Sequence, residues 1–314
     1  MFNRLKQKQK SNVFGFWFTA ALITQLAIAP NSTVMRIIVQ EMDPLMFNSL
    51  RSALIVAVTF PFILFALRKF NRFNFMYTVG AGICMAIATL CAVFALQQSQ
   101  ASYVVILSLG SPIVLVFLTH WLLKEKVNLR AAAGVTLAAM GGLVAVTLPL
   151  AFHGSASLEF YPLATALIAV NCIFFPLGMI FFRKANEMGL PLPAVQSLAS
   201  VVILIVSLAG LFAVGTPTAL TDISLATWVG IVYSGIGVVF LCRMIIVASY
   251  ERIGSGPIAA LTYLEGLVAV LIPVAVLSER LSLWVVAGGV LILLGLYLTE
   301  KHQSRKHYHL LRHH

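Results

Sequence analysis

The chain has 314 residues, of which 60% are hydrophobic and only 10% charged, with a net charge of +11. Soluble domains carry about 25% charged residues and are less than half apolar, and a chain this oily would expose too much apolar surface to water. The composition therefore excludes a soluble enzyme, a disordered chain and a nucleic-acid-binding domain, and it disfavours a transmembrane β-barrel, whose interior stays polar.

What remains is an all-α polytopic membrane protein. At about 20 apolar residues per span, the chain holds roughly ten transmembrane helices and little else. Residues 1–12 form a basic N-terminus with Arg4, Lys6, Lys8 and Lys10. The first apolar run ends at Ala27-Ile28-Ala29, which resembles a signal-peptide cleavage site. Pro30 follows directly and disfavours cleavage, so the first helix is expected to stay. The spans are predicted at 13–36, 44–67, 74–96, 101–123, 128–149, 160–182, 193–214, 225–249, 256–277 and 282–299. Every connection is too short to fold as a separate domain. The tail 300–314 is basic and holds five of the seven histidines. It is expected to be solvated and drawn to anionic lipid rather than to bind metal.

The basic residues lie in short clusters between the apolar runs, as topology determinants do. With the N-terminus inside, inner segments hold 17 Lys and Arg and outer segments only Arg36 and Arg280. This asymmetry predicts both termini on the cytoplasmic side. Trp17, Tyr77, Tyr161 and Trp284 fall near span ends, where amphipathic rings favour the interface. Cys84, Cys91, Cys172 and Cys242 lie inside apolar runs without paired spacing. They are expected to pack as small hydrophobes, without a disulfide or a metal.

Two stretches 154 residues apart match: Glu125 aligns with Glu279, Lys126 with Arg280, Gly134 with Gly288 and Gly141 with Gly295. Ala101-Ser102 falls opposite Ser255-Gly256, and Pro112 opposite Gly266. Pro30 and Pro176 match at a slightly different offset, as do Pro44 and Pro193. The halves are 13–149 and 160–299. Five spans is an odd number, so the second half must enter the membrane from the opposite side. That is an inverted repeat, the basis of two alternately open states. The paired glycines sit seven apart and let helices 5 and 10 approach closely as a scaffold. Glu125 and Glu279 sit at turns and are expected to cap the starts of helices 5 and 10.

Ala95-Leu96 through Ser111-Pro112, followed by the turn Leu122 to Val127, resembles the first repeat of an EamA-type transporter of the drug/metabolite transporter superfamily. Tyr263-Leu264-Glu265 with the turn Leu277-Ser278-Glu279-Arg280-Leu281 resembles the second, and Asp43-Pro44 with Leu50-Arg51 resembles the start of helix 2. The resemblance covers about residues 13–299. It implies ten transmembrane helices in two inverted five-helix repeats, and transport of small metabolites, often efflux. The chain departs from the pattern at Gly266, where the family commonly has proline after Tyr-Leu-Glu.

A charge near the bilayer centre costs at least about 2.5–3.5 kcal/mol, so such residues usually face a cavity. Arg51 lies roughly 10 Å into helix 2 at 1.5 Å per residue. It is either a ligand for a carboxylate or phosphate or a structural tie to carbonyls. Arg243 interrupts an apolar run outside the common repeat frame, as a substrate or counter-ion group would. Glu265, beside Tyr263, is expected to pair with Arg243, bind a substrate ammonium or couple to protons. Two cations against one acid favour an anion, or a zwitterion with its carboxylate on arginine. Gln25, Asn31, Asn48, Ser111, Asn171 and Gln196 complete the candidate substrate site, each with an interhelical hydrogen bond as its structural alternative. Most lie near Pro30, Pro112, Pro176 and Gly266, where the backbone of paired helices is expected to be exposed.

The expected function is a secondary transporter of a small polar metabolite, an amino acid or related zwitterionic or anionic compound, in an inner membrane. Its expected partners are that substrate and the lipid bilayer, with no cofactor, nucleic acid or obligate protein partner. The alternative is an exporter of drugs or of metabolites such as nucleotide derivatives. An intramembrane transferase would need clustered acids or a His/Asp pair, and His120 has no acidic neighbour in sequence. A channel would not need the repeat.

Overall fold

The computed structural model describes residues 2–123, 161–253 and 255–279 continuously, and parts of 133–144 and 283–298. The last basic segment, Glu125 and most of the fifth predicted span lie outside the described residues, as do the side chains of the first basic segment and of Pro112, His120 and Tyr263.

The described residues fold into helices connected by short turns. These are α1 Phe2–Ile28, α2 Asn31–Glu41, α3 Pro44–Ala66, α4 Arg72–Gln98, α5 Ala101–Ser108 and α6 Ser111–Leu123. The second half continues with α7 Pro162–Glu187, α8 Leu192–Val214, α9 Leu225–Val232, a π-helical stretch Tyr233–Cys242, α10 Arg243–Ile253 and α11 Ser255–Val276. Among the described residues six helical stretches are long and apolar enough to cross a membrane: 14–41, 44–69, 72–98, 162–187, 192–214 and 225–249. Segments 101–123 and 255–276 are the fourth and ninth predicted spans, the former interrupted. A count of ten is not established, because the fifth and tenth predicted spans are only partly described. An apolar helix Val286–Gly295 lies within the tenth.

Local chemistry sets the helix starts. Asp43 accepts from the backbone N–H groups of Leu45 (2.8 Å) and Met46 (3.4 Å), with Pro44 at the first position. Asn71 and Asn74 form a reciprocal capping box at α4. Ser224 accepts from the Thr227 N–H at 3.1 Å. Each satisfies donors that the first turn cannot pair within the helix, at a point where no water is available further in.

The packing follows a two-fold pattern between the halves. Span 2 lies along span 7 (α3 on α8), span 4 on span 9 (α5 on α11), and span 3 on span 6 (α4 on α7). The mate of the last pairing is also present: α1 packs on the π-helical stretch and α10 of span 8. Gly141 of span 5 faces Gly288 of span 10 so closely that a Cβ would sit 2.6 Å from the Gly288 carbonyl oxygen. The glycines therefore bring these backbones together as expected of a scaffold. α1 is built into the bundle: Ala21, Trp17 and Leu22 pack with Ile253, Ile258 and Leu261. The outer surface is apolar, with Phe65, Ile205, Phe212 and Leu225 exposed, as a lipid-facing surface requires.

Gly82 has the same role inside the described core. A Cβ there would lie 2.7 Å from Val202 Cβ on α8. Gly82→Leu drives α4 away from α8 and is expected to cost about 1–3 kcal/mol, read as a lower melting temperature in detergent.

Candidate functional site

The first span is not one helix. α1 ends at Ile28, Ala29 and Pro30 form a turn, and α2 restarts at Asn31. Pro30 lacks the N–H that would continue the ladder, which favours a break here. The fourth span breaks likewise at Leu109–Gly110. The other two expected break points are corrected: Pro176 and Gly266 both lie inside continuous helices, α7 and α11. At Pro176 the surrounding turns hold the helix together despite the missing donor. At Gly266 the absent proline removes the reason to bend.

The two breaks adjoin one cavity of about 530 Å³. Its lining includes Ile28, Ala29, Asn31, Ser32 and Met35 from the first span, and Ser108, Leu109 and Ser111 from the fourth. The second half supplies Asn171, Phe175 and Pro176 from α7 and Thr262, Glu265 and Gly266 from α11. Glu265 is the single ionisable group among these lining residues. Asn31 Oδ1 and Ser32 Oγ are buried without a hydrogen-bond partner. A buried polar atom without a partner is costly, so a polar ligand in the cavity would relieve both.

Of the ten candidate residues, Asn31, Ser111, Asn171 and Glu265 line this cavity. Asn171 also donates to the Ala88 carbonyl at 2.8 Å, tying α7 to α4. Gln25 donates to Thr262 Oγ1 at 2.9 Å and so joins α1 to a lining residue of α11. Tyr263 contributes no described side chain. Arg51, Arg243, Asn48 and Gln196 are not among its lining residues and form two polar sets, Arg51 with Asn48 and Arg243 with Gln196. Arg51 donates to Asn48 Oδ1 at 2.5 Å and to Met35 Sδ at 3.3 Å, and its guanidinium sits 5.1 Å from the Phe47 ring. Asn48 donates to Ser207 Oγ at 2.8 Å. Arg243 donates to Gln196 Oε1 at 3.0 Å. The expected pairing of Arg243 with Glu265 is absent: among the described residues the one ion pair is the exposed Arg183–Glu187 at 2.7 Å.

Asn48 joins Arg51 to Ser207 and is wholly buried. Asn48→Ala removes a partner from both Arg51 and Ser207. We expect a loss of about 2–4 kcal/mol, more than the usual interhelical hydrogen bond, because a buried cation loses its acceptor. Thermal unfolding beside Ser207→Ala separates the two contributions.

Three features escaped the sequence. Ser32 and Met35 line the cavity on the same helix as Asn31, and the i, i+4 spacing from Asn31 to Met35 was available as a signal. The π-helical stretch that precedes Arg243 was not, because π geometry has no residue code. Its Tyr233 hydroxyl donates to the Ala27 carbonyl beside the break in the first span, and π stretches frequently mark functional positions.

At one end of the bundle, acids of one half bind the other half. Glu279 accepts from the N–H groups of Ala101 (2.7 Å) and Ser102 (2.9 Å) and from Ser102 Oγ (2.5 Å). It thus caps α5 of the other half, where a carboxylate favours the positive helix end. The start of the tenth predicted helix, which the sequence expected it to cap, lies outside the described residues. Arg36 donates to the carbonyls of Leu96 and Gln97 (2.8 Å to Gln97) and so covers the end of α4. Asp43 accepts from Thr216 at 3.2 Å, and Glu41 accepts from Ser224 and Thr227.

A family model described as the EamA-like transporter family matches residues 15–147 and 162–300. No curated protein matches. Among solved structures 28 chains match. One, described only as "Crystal structure of protein", is 15% identical, spans 94% of this chain and 98% of its own, and superposes with a TM-score of 0.60. At that identity the likeness shows the fold alone.

Proposed function

Because the chain belongs to the EamA-like transporter family, a family of transporters rather than enzymes, we propose that it is a secondary transporter working by alternating access. Its substrate is a small polar metabolite with an amino group, an amino acid or a related zwitterion. The observation that carries this reading is the cavity between the halves. Its volume of about 530 Å³ lies within the roughly 300–1,000 Å³ of small-molecule sites. Glu265 offers the ammonium a counter-charge, Asn31, Ser32, Ser111 and Thr262 offer hydrogen bonds, and Phe175, Leu109 and Met179 accept the apolar part. Glu265 is also the group best placed to exchange a proton for the substrate.

Broken helices support the same reading, since carriers place substrate where helices are interrupted near the midplane. The basic clusters support an inner membrane with both termini cytoplasmic. The test is counterflow in proteoliposomes with labelled amino acids, nucleotides and organic acids. Saturable exchange of an amino acid is the expected result. Absence of exchange of every amino acid, or flux that does not saturate, counts against the reading.

A further inference from the structure

Arg51 is buried and Arg243 half-buried, and neither has a carboxylate partner among the described residues. Their hydrogen bonds go to neutral groups, Asn48, Gln196 and the Met35 sulfur. The π-helical stretch Tyr233–Cys242 links them, with its Gly235 against Arg51 and Arg243 directly after its last residue. Burying even one cation without an anion costs several kcal/mol. Gly235 of the π-helical stretch makes the arrangement fit, since a Cβ there would sit 3.1 Å from Arg51 Cγ. Such a pair lacks an oxyanion.

Met35 touches both Arg51 and the cavity. Met35 lines the cavity, and its sulfur is 3.3 Å from an Arg51 nitrogen and 3.8 Å from Asn31 Nδ2. Asn31 also lines the cavity and keeps an unpartnered oxygen. Methionine has three rotatable bonds and changes rotamer at little cost. Turning Met35 aside would bring Arg51 into the same space as Glu265.

We propose that Met35 is a gate between the Glu265 cavity and an oxyanion subsite formed by Arg51 with Arg243 behind it. The subsite takes a carboxylate, either the substrate's own or that of a free small acid moving with an amine. Arg51 makes the contact, and Arg243 acts through the local field. With the gate open the site carries both signs, so a zwitterion bridges it end to end while a simple amine fills only one end. The inference rests on the transport reading above.

The test uses the full-length protein in proteoliposomes and three probes: labelled phenylalanine, labelled phenethylamine, and phenethylamine with acetate. Wild type is expected to prefer phenylalanine over phenethylamine by about ten-fold, the lower end for a hydrogen bond to a charged group, because part of the gain offsets opening the gate. Arg51→Gln and Arg243→Gln should erase that preference, and Met35→Phe should reduce it. Stimulation of phenethylamine exchange by acetate, lost in Arg51→Gln, would also support the subsite and identify the acid as free. Equal handling of phenylalanine and phenethylamine, unchanged in Arg51→Gln and without an acetate effect, overturns it.

A second readout needs neither transport nor an Arg51 variant. Phenylglyoxal labelling of Arg51, followed by mass spectrometry, should rise several-fold in Met35→Ala. Unchanged labelling overturns the gate. If wild type exchanges no amino acid of the wider panel, the transport reading fails, and the labelling still decides whether the cavity reaches Arg51.

Discussion

In proteoliposomes, Glu265→Gln loses saturable exchange by about 100-fold or more while its melting temperature stays within a few degrees of wild type. The reason is the separation of its roles. Glu265 lines the cavity with no hydrogen-bond or ion-pair partner among the described residues, so removing its charge breaks no internal contact. The substrate ammonium, by contrast, would face an otherwise neutral cavity. A charge-assisted bond in a poorly hydrated site is worth roughly 3 kcal/mol, which is about 100-fold. Glutamine keeps the shape and an acceptor but not the charge. Exchange within about three-fold of wild type would mean that the substrate's charge is met elsewhere.

The second large effect concerns Glu279. Its carboxylate holds two backbone N–H groups and one hydroxyl at the start of α5, across the boundary between the halves. Glu279→Ala leaves those donors without a partner and removes the charge that favours the positive helix end. We expect a cost of about 2–4 kcal/mol, and expect it to fall on the closed state of this end. A cysteine at Val104 reports on it, because Val104 is buried and lines the cavity one turn further in. In a background without the native cysteines, an impermeant maleimide added from the Glu279 side should label it about ten-fold faster after Glu279→Ala. Glu279→Gln should give a smaller increase, since one acceptor oxygen remains. Unchanged labelling in both variants would show that this contact does not hold the end closed.

Much of the candidate site was legible one residue at a time but not as a set. Asn31, Ser111, Asn171 and Glu265 were identified because polar groups in apolar runs are costly unless they face a cavity or a partner, and these four share the cavity. The same reasoning selected Gln25, Asn48 and Gln196, which bond to Thr262, Arg51 and Ser207, and Arg243 and Ser200, respectively. Burial cost is identical for a ligand and for an interhelical tie, so sequence cannot separate the two. Met35 shares a helix face with Asn31, but an apolar residue in an apolar helix carries no burial cost to single it out, and only its sulfur beside Arg51 does so.

Sequence alone determined that the chain is a multi-spanning helical membrane protein of two related halves. Hydropathy and span length are local quantities, and the matching turns at Glu125 and Glu279 lie on a fixed 154-residue offset. It also located the break at Pro30, because a missing N–H acts where it stands. Only the tertiary structure decided which proline or glycine interrupts its helix, which half Glu279 caps, and that Arg243 meets Gln196 rather than Glu265. Those outcomes depend on which neighbour reaches a polar group first once the helices have packed, and that is a property of the whole bundle.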